Sequence, residues 1–288
     1  MALVKGPWNV APRIEHGYFG ALLELTEYML EVIRHERDPS RMIRMLRGMA
    51  DAPWLQSYAY ETARQMVTHL AIDGARSWKQ AARESGNGRS IYEALQRELQ
   101  GGIGGQIGAE IARNAELIRT LPLDVANRVT DYVGRETLAG RRPESIAEDI
   151  RKMFPEASRA KASLIARTES AKTSTALTRA RAEEVNIPAY VWRTSEDQRV
   201  RSSHRHMDGV IVFWDAPPSP EAILHEKHAP PPYHAGQIWN CRCFASPVVD
   251  APRLAWPHKV YAQGQIVTMT LAEFRRIERW KGGEVLVS

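Results

Sequence analysis

Apolar positions recur every three to four residues through the first half of the chain. Leu22, Thr26, Met29, Leu30 and Ile33 make one such stripe, the signature of a helix with a buried face. Asp38-Pro39-Ser40 interrupts it, and Ser40 can cap the helix that follows. A longer helix is predicted from about Ser57 to Ala82, with Tyr60, Ala63, Met66, Val67, Leu70 and Ala71 in register. Gly74 lies inside it, and Gly86-Asn87-Gly88 ends it. Another helix starts near Ser90. The glycine-rich patch from Gly101 to Gly108 reads as a hinge or as a close contact between helices. A phosphate loop would end in Gly-Lys-Ser/Thr, and no such lysine follows. Pro122 suits the first turn of a helix bearing Val125, Val129, Tyr132 and Val133, which Gly140 closes in a left-handed turn. Pro143 opens the next helix, with Ile146, Ile150 and Phe154 inward. Pro155 stops it, and Ser158 starts another that runs to about Val185.

The pattern changes at Pro188. Tyr190 to Thr194 and Gly209 to Trp214 are rich in β-branched and aromatic residues and read as strands, and Phe244 to Val249 closes the small unit they begin. Two short strands, Lys259 to Tyr261 and Gln265 to Met269, precede a basic helix. Thr270 and Glu273 form its capping box. The predicted class is α+β, predominantly α-helical. An N-terminal helical region covers 1–108. A second region, 109–250, has helices to 187 and a small irregular strand-and-loop unit over 188–250. A short β/α tail covers 251–288.

Composition narrows the function. Apolar residues make up 43% and charged residues 25% of the 288, near globular averages, so wholesale disorder is excluded. The net charge of +5 permits contact with DNA, but the arginines are spread along helices as solvated faces rather than concentrated. No run of 18 apolar residues exists, so no membrane span is expected. Met1 to Pro7 lacks the apolar stretch of a signal peptide, so the chain is expected to stay in the cytoplasm where it is made.

The candidate chemistry sits near the only two cysteines, Cys241 and Cys243. Five of the nine histidines, His204, His206, His225, His228 and His234, precede them closely. Imidazoles and thiolates are zinc's preferred donors. His204 and His234 with Cys241 and Cys243 would make a closed structural zinc site, since Cys-x-Cys on an extended segment presents both thiols to one side. Buried apolar cysteines with hydrogen-bonded loop histidines fit the same residues. A catalytic metal would need an open position and a base, with Asp208 or Glu226 as candidates. A nucleophilic cysteine beside Arg242 lacks an ordered Cys/His/Asn signature. Arg167 and Glu169, two apart on a helix, face different ways, one toward the strand unit and one into the helical bundle. Asp197 and Arg201 read as an internal charge pair. Asp208-Gly209 reads as a turn before a strand.

An ordered series of residues carries a family resemblance. It runs Asn114 to Pro122, Leu138 to Ile146, Ala166-Arg167-Thr168-Glu169, Trp192-Arg193-Thr194, Asp197 to Arg201, His204 and Asp208-Gly209. It ends in Asn240-Cys241-Arg242-Cys243 and Pro247. The segment from about Asn114 to Val248 resembles the Mu F-like phage head-morphogenesis family. The departure is a Pro- and His-rich insert over 215–239. The resemblance implies a non-enzymatic minor head (minor capsid) protein of a tailed phage or prophage. Such a protein is present in few copies in the virion, near the portal vertex. Its expected partners are the portal protein and neighbouring capsid proteins, with non-specific DNA contact through Arg275, Arg276, Arg279 and Lys281. The alternatives are a metal-dependent hydrolase or nuclease, and a toxin-type effector, each using the His/Cys cluster.

Overall fold

The computed structural model describes residues 8–86, 88–98 and 102–281, with the backbone path alone for 278–281. Asn87 and Gly101 therefore lie outside the described residues, as do the Met1 to Pro7 segment and the side chains of Arg279 and Lys281. The chain runs α1 (Pro12–Ile33), α2 (Pro39–Ala50), α3 (Pro53–Glu84), α4 (Gly88–Gln96), α5 (Gly102–Leu138) and α6 (Pro143–Glu184). There follow β1 (Ala189–Arg193), α7 (Ser202–Met207), β2 (Ile211–Phe213), α8 (Pro220–Ile223), β3 (Phe244–Pro247), β4 (His258–Ala262), β5 (Gln265–Met269) and α9 (Leu271–Lys281). The fold is α+β and mostly helical. No helix among the described residues is long and apolar enough to cross a membrane.

The helical stripes are where the periodicity puts them. Leu22, Met29 and Ile33 are wholly buried, as are Ala63 and Val67, whereas Tyr60 is exposed. The cap of α2 is Asp38, not Ser40. Its carboxylate accepts from the Ser40 N–H at 2.9 Å, because Pro39 takes the first helical position and leaves its predecessor as cap. Gly140, at φ 77°, turns the chain between α5 and α6 as expected. Thr270 and Glu273 cap α9 reciprocally, at 2.7 Å and 3.4 Å.

Three predicted breaks are absent. Pro122 and Pro155 lie inside α5 and α6, not at a helix start and a helix end. Each forgoes one ladder hydrogen bond, at a local cost of about 3 kcal/mol. The apolar register continues through Pro122, which is buried with Leu121 and Ala126. That burial outweighs the local preference. The glycine patch is the first two turns of α5 from Gly102 onward. A Cβ at Gly102, Gly105 or Gly108 would meet nothing within 4 Å, so these three mark no close contact.

The chain divides into two compact units that do not follow the expected consecutive regions. One comprises the described residues of Met1–Ala11, His69–Ile107 and Ser170–Ser288. The other comprises Pro12–Thr68 and Gly108–Glu169. The boundaries fall inside α3, α5 and α6. In the wholly helical unit, Arg113 joins Glu110, at 2.7 Å, to the buried Glu169. In the same unit Arg167 pairs with Glu15 at 3.3 Å. The expectation that one of Arg167 and Glu169 reaches the strand unit is therefore corrected: both pair among helices.

The other unit holds a five-stranded sheet, order β3-β1-β2-β4-β5, in which only the β2–β4 pair is parallel. Alternation along its strands gives it two buried faces. Ala189, Val191, Ile211, Phe213 and Val260 face Phe274 of α9. Tyr190, Trp192, Val212 and Ala245 face the other way. They pack with Trp78, Ile91, Ala182, Met207, Tyr233, Cys241 and Cys243. The candidate site belongs to this second face.

Candidate metal centre

The path from β1 to β2 delivers the histidine. The Thr194 N–H is held by the Asp208 carboxylate at 2.8 Å, and the Gly209 N–H by the Trp192 carbonyl at 2.9 Å. Gly209, at φ 78°, makes the turn that Asp208-Gly209 predicts. Between these anchors α7 buries Ser203, His204 and Met207, three positions on one helical face. The path into β3 delivers the thiols. Asn240, at φ 56°, turns the chain, and Cys241 and Cys243 then point inward while Arg242 stays half-buried. Arg242 reaches Asp197 at 3.4 Å, and Arg199 approaches the same carboxylate at 3.6 Å. The predicted Asp197–Arg201 pair is replaced by these contacts, and Arg201 donates to the Trp239 carbonyl at 2.8 Å.

His204 Nδ1 lies 3.5 Å from Cys241 Sγ and 3.3 Å from Cys243 Sγ, and the three donor atoms all lie within 4.8 Å of one another. All three residues are at most 4% exposed. A tetrahedral zinc ion with Zn–S near 2.3 Å and Zn–N near 2.0 Å separates its S and N donors by about 3.5 Å. The imidazole and thiols therefore already have the donor types, and the S···N edges, such an ion needs.

The far side of the imidazole is also fixed. His204 Nε2 is 2.9 Å from the Tyr233 hydroxyl, which donates to Glu221 Oε2 at 2.7 Å. Ser203 donates to the same carboxylate at 3.2 Å. With the hydroxyl proton directed at Glu221, Tyr233 accepts from Nε2–H. Nδ1 is then the bare nitrogen facing the sulfurs. A histidine that ligates through one nitrogen commonly donates from the other to such a chain. Burial and the Glu221 carboxylate push the Tyr233 phenol far up, which keeps it a donor.

The two thiols are electrostatically unequal. The Cys243 thiol and His204 hold Cys241 well below an ordinary thiol, against its burial. Cys243 is driven up by its hydrogen bond to Cys241, by burial and by the charge on Cys241. Of the two thiols, Cys241 is the one whose anionic form its partners favour.

His234 stands apart from this group. Its Nδ1 is 3.2 Å from the Tyr190 hydroxyl and its Nε2 is 3.5 Å from Arg179. Burial and the Arg179 charge push it down to about 4. Of the four expected ligands, His204, Cys241 and Cys243 come together and His234 does not. His206, His225, His228 and Glu226 are exposed, and Asp208 is engaged by Thr194. Tyr233 and Glu221 escaped the reading of the sequence. Both belong to the 215–239 insert, where no spacing ties them to His204.

Comparison with known proteins adds to this geometry. Residues 127–246 match the family described as "Phage Mu protein F like protein", which supports the resemblance seen in the sequence. A Haemophilus influenzae (strain ATCC 51907 / DSM 11121 / KW20 / Rd) protein, described as "Uncharacterized protein", is 34% identical over 145 residues. That alignment covers 50% of this chain and 30% of the relative. The chain therefore spans less than a third of the relative's length. No solved structure matches.

Proposed function

We propose that the chain is a structural minor head protein of a tailed phage or prophage, made in the host cytoplasm and built into the virion near the portal vertex. The observation that carries this reading is the Phage Mu F-like match over residues 127–246. The roles of the matching residues are consistent with it. Glu169 is spent on Arg113, Asp197 on Arg242 and Asp208 on the Thr194 N–H. Asn240 and Gly209 are spent on turns. These contacts define a shape, as expected of a part whose product is an assembly. In this reading the portal and adjacent capsid subunits are its partners, and the exposed Arg275 and Arg276 lie near packaged DNA as non-specific phosphate contacts.

The test is protein identification in gradient-purified proheads and filled heads from a lysogen encoding the chain. A deletion of the gene is examined in parallel. The chain is expected in both particle types at few copies relative to the major capsid subunit, and the deletion should lower the yield of infectious particles. Particles that wholly lack the chain, with yield unaffected by the deletion, would overturn the proposal.

A further inference from the structure

We propose that His204 Nδ1, Cys241 Sγ and Cys243 Sγ bind one zinc ion, which pins α7 to the segment entering β3. The inference is independent of the phage assignment. Three observations carry it. The donor atoms are an imidazole nitrogen and two sulfurs, the set borderline-soft Zn2+ selects over harder cations. Their S···N separations of 3.5 and 3.3 Å match tetrahedral edges without movement of the backbone. The imidazole is oriented with its bare nitrogen on the sulfurs by the chain His204–Tyr233–Glu221.

Charge balance supports the same ion. A divalent cation with two thiolates is neutral overall, which a buried site tolerates far better than a net charge. The described residues supply three side-chain ligands, so the fourth donor is a solvent oxygen. The two segments joined are α7, short enough to have little stability of its own, and an irregular stretch opened by the left-handed Asn240. An ion bonded to both would fix what hydrogen bonds alone fix weakly.

The experiment uses the full chain, stripped by a chelator under reducing conditions and titrated with Co2+ and then with Zn2+. One Co2+ per chain is expected, with a thiolate-to-cobalt charge-transfer band and the intense visible bands of tetrahedral cobalt, both abolished by stoichiometric Zn2+. Cys241→Ser and Cys243→Ser should each weaken binding by at least about 100-fold. Tyr233→Phe, which removes only the support of the imidazole, should weaken it by about 10-fold. His234→Gln should bind as the unaltered chain does. Absence of a cobalt–thiolate band in the folded, unaltered chain refutes the site whether or not the cysteine variants fold. Binding that survives in Cys241→Ser/Cys243→Ser, or that is lost in folded His234→Gln, refutes the ligand assignment.

Discussion

Arg181 offers the sharpest test of how the strand-bearing unit is held together. It is 3% exposed on α6, donates to the Ala71 carbonyl at 2.9 Å, and forms an ion pair with Glu98. Its burial depresses its pKa, and the Glu98 charge opposes that shift. Gly74 is part of the same arrangement, since a Cβ there would lie 2.6 Å from one guanidinium nitrogen. Removing the partner of a buried charge costs about 3–5 kcal/mol, whereas removing both charges at constant volume is often close to neutral. The Glu98 side chain is 13% exposed, so the lower end applies. Glu98→Gln should therefore destabilise by about 3 kcal/mol, roughly two decades in the unfolding equilibrium. Adding Arg181→Met should restore at least about half of that. The double variant would then be more stable than the single one, an order that independent effects produce only if Arg181→Met is stabilising by itself. Gly74→Ala should cost about 1–3 kcal/mol with Arg181 present and much less beside Met, which bends out of the way. Urea unfolding followed by far-ultraviolet circular dichroism measures all five chains. A Glu98→Gln loss below about 0.5 kcal/mol, or a double variant weaker than the single, would refute the claim that this cation depends on Glu98.

Two further predictions concern the surroundings of the proposed metal site. The neutral form of His234 is favoured in the fold, its pKa pushed down to about 4 from 6.5, so its contribution is complete above pH 6.5 and is lost as pH falls toward 4. The full window corresponds to about 3 kcal/mol, and His234→Gln should flatten the fall in unfolding free energy, from urea titrations between pH 7 and pH 4.5, by about 2 kcal/mol. Equal slopes in the two proteins would count against a buried neutral imidazole. Gly236 has φ 87°, and a Cβ there would sit 2.8 Å from the Thr175 hydroxyl and 3.1 Å from the Cys243 carbonyl. Gly140 has φ 77° and nothing within 4 Å. Gly236→Ala should thus lower the thermal midpoint clearly more than Gly140→Ala, which carries only the backbone penalty of about 1 kcal/mol. Similar shifts for the two would show that the loop does not sit tightly on α6.

What could be read from the chain divides by the range of the forces involved. The stripe through Leu22, Met29 and Ile33, the strands at Tyr190 to Thr194 and Gly209 to Trp214 and the Thr270–Glu273 box depend on near neighbours, and all of them appear close to where periodicity, β-propensity and capping chemistry predict. Pro122 and Pro155 stay within helices because a breaker rule is a local preference of about 3 kcal/mol, and at Pro122 it is overridden within a buried apolar stripe that continues through the proline. The Asp38 cap was legible in principle, since a proline at the first helical position leaves its predecessor as the cap. The cluster itself was half legible. Cys-x-Cys guarantees that two thiols share a side, and His204 lies in the turn that ends at Asp208-Gly209. His234 is closer to the cysteines along the chain yet points to Tyr190 and Arg179, because the direction of a loop side chain depends on packing that no spacing records.

The same reasoning explains why the quoted series of residues is scattered along the chain. Trp192, Asp208-Gly209 and Asn240-Cys241-Arg242-Cys243 are separated by tens of residues but converge on one face of one sheet. Trp192 supplies the wall, Asp208 ties the strand end, Gly209 turns the chain after His204, and Arg242 is tied to Asp197 on the outside while its two neighbours face inward. Several members are held by contacts to one another: the Thr194 N–H to Asp208, the Gly209 N–H to the Trp192 carbonyl, and Arg242 to Asp197. That interdependence is what a small unit needs when its strands are three to five residues long and its connections are irregular. The Tyr233–Glu221 support comes from the insert over 215–239, so this chain holds its histidine with parts that lie outside the quoted series. A chain keeping the series without the insert would have to orient the same imidazole by some other acceptor, or hold it less firmly.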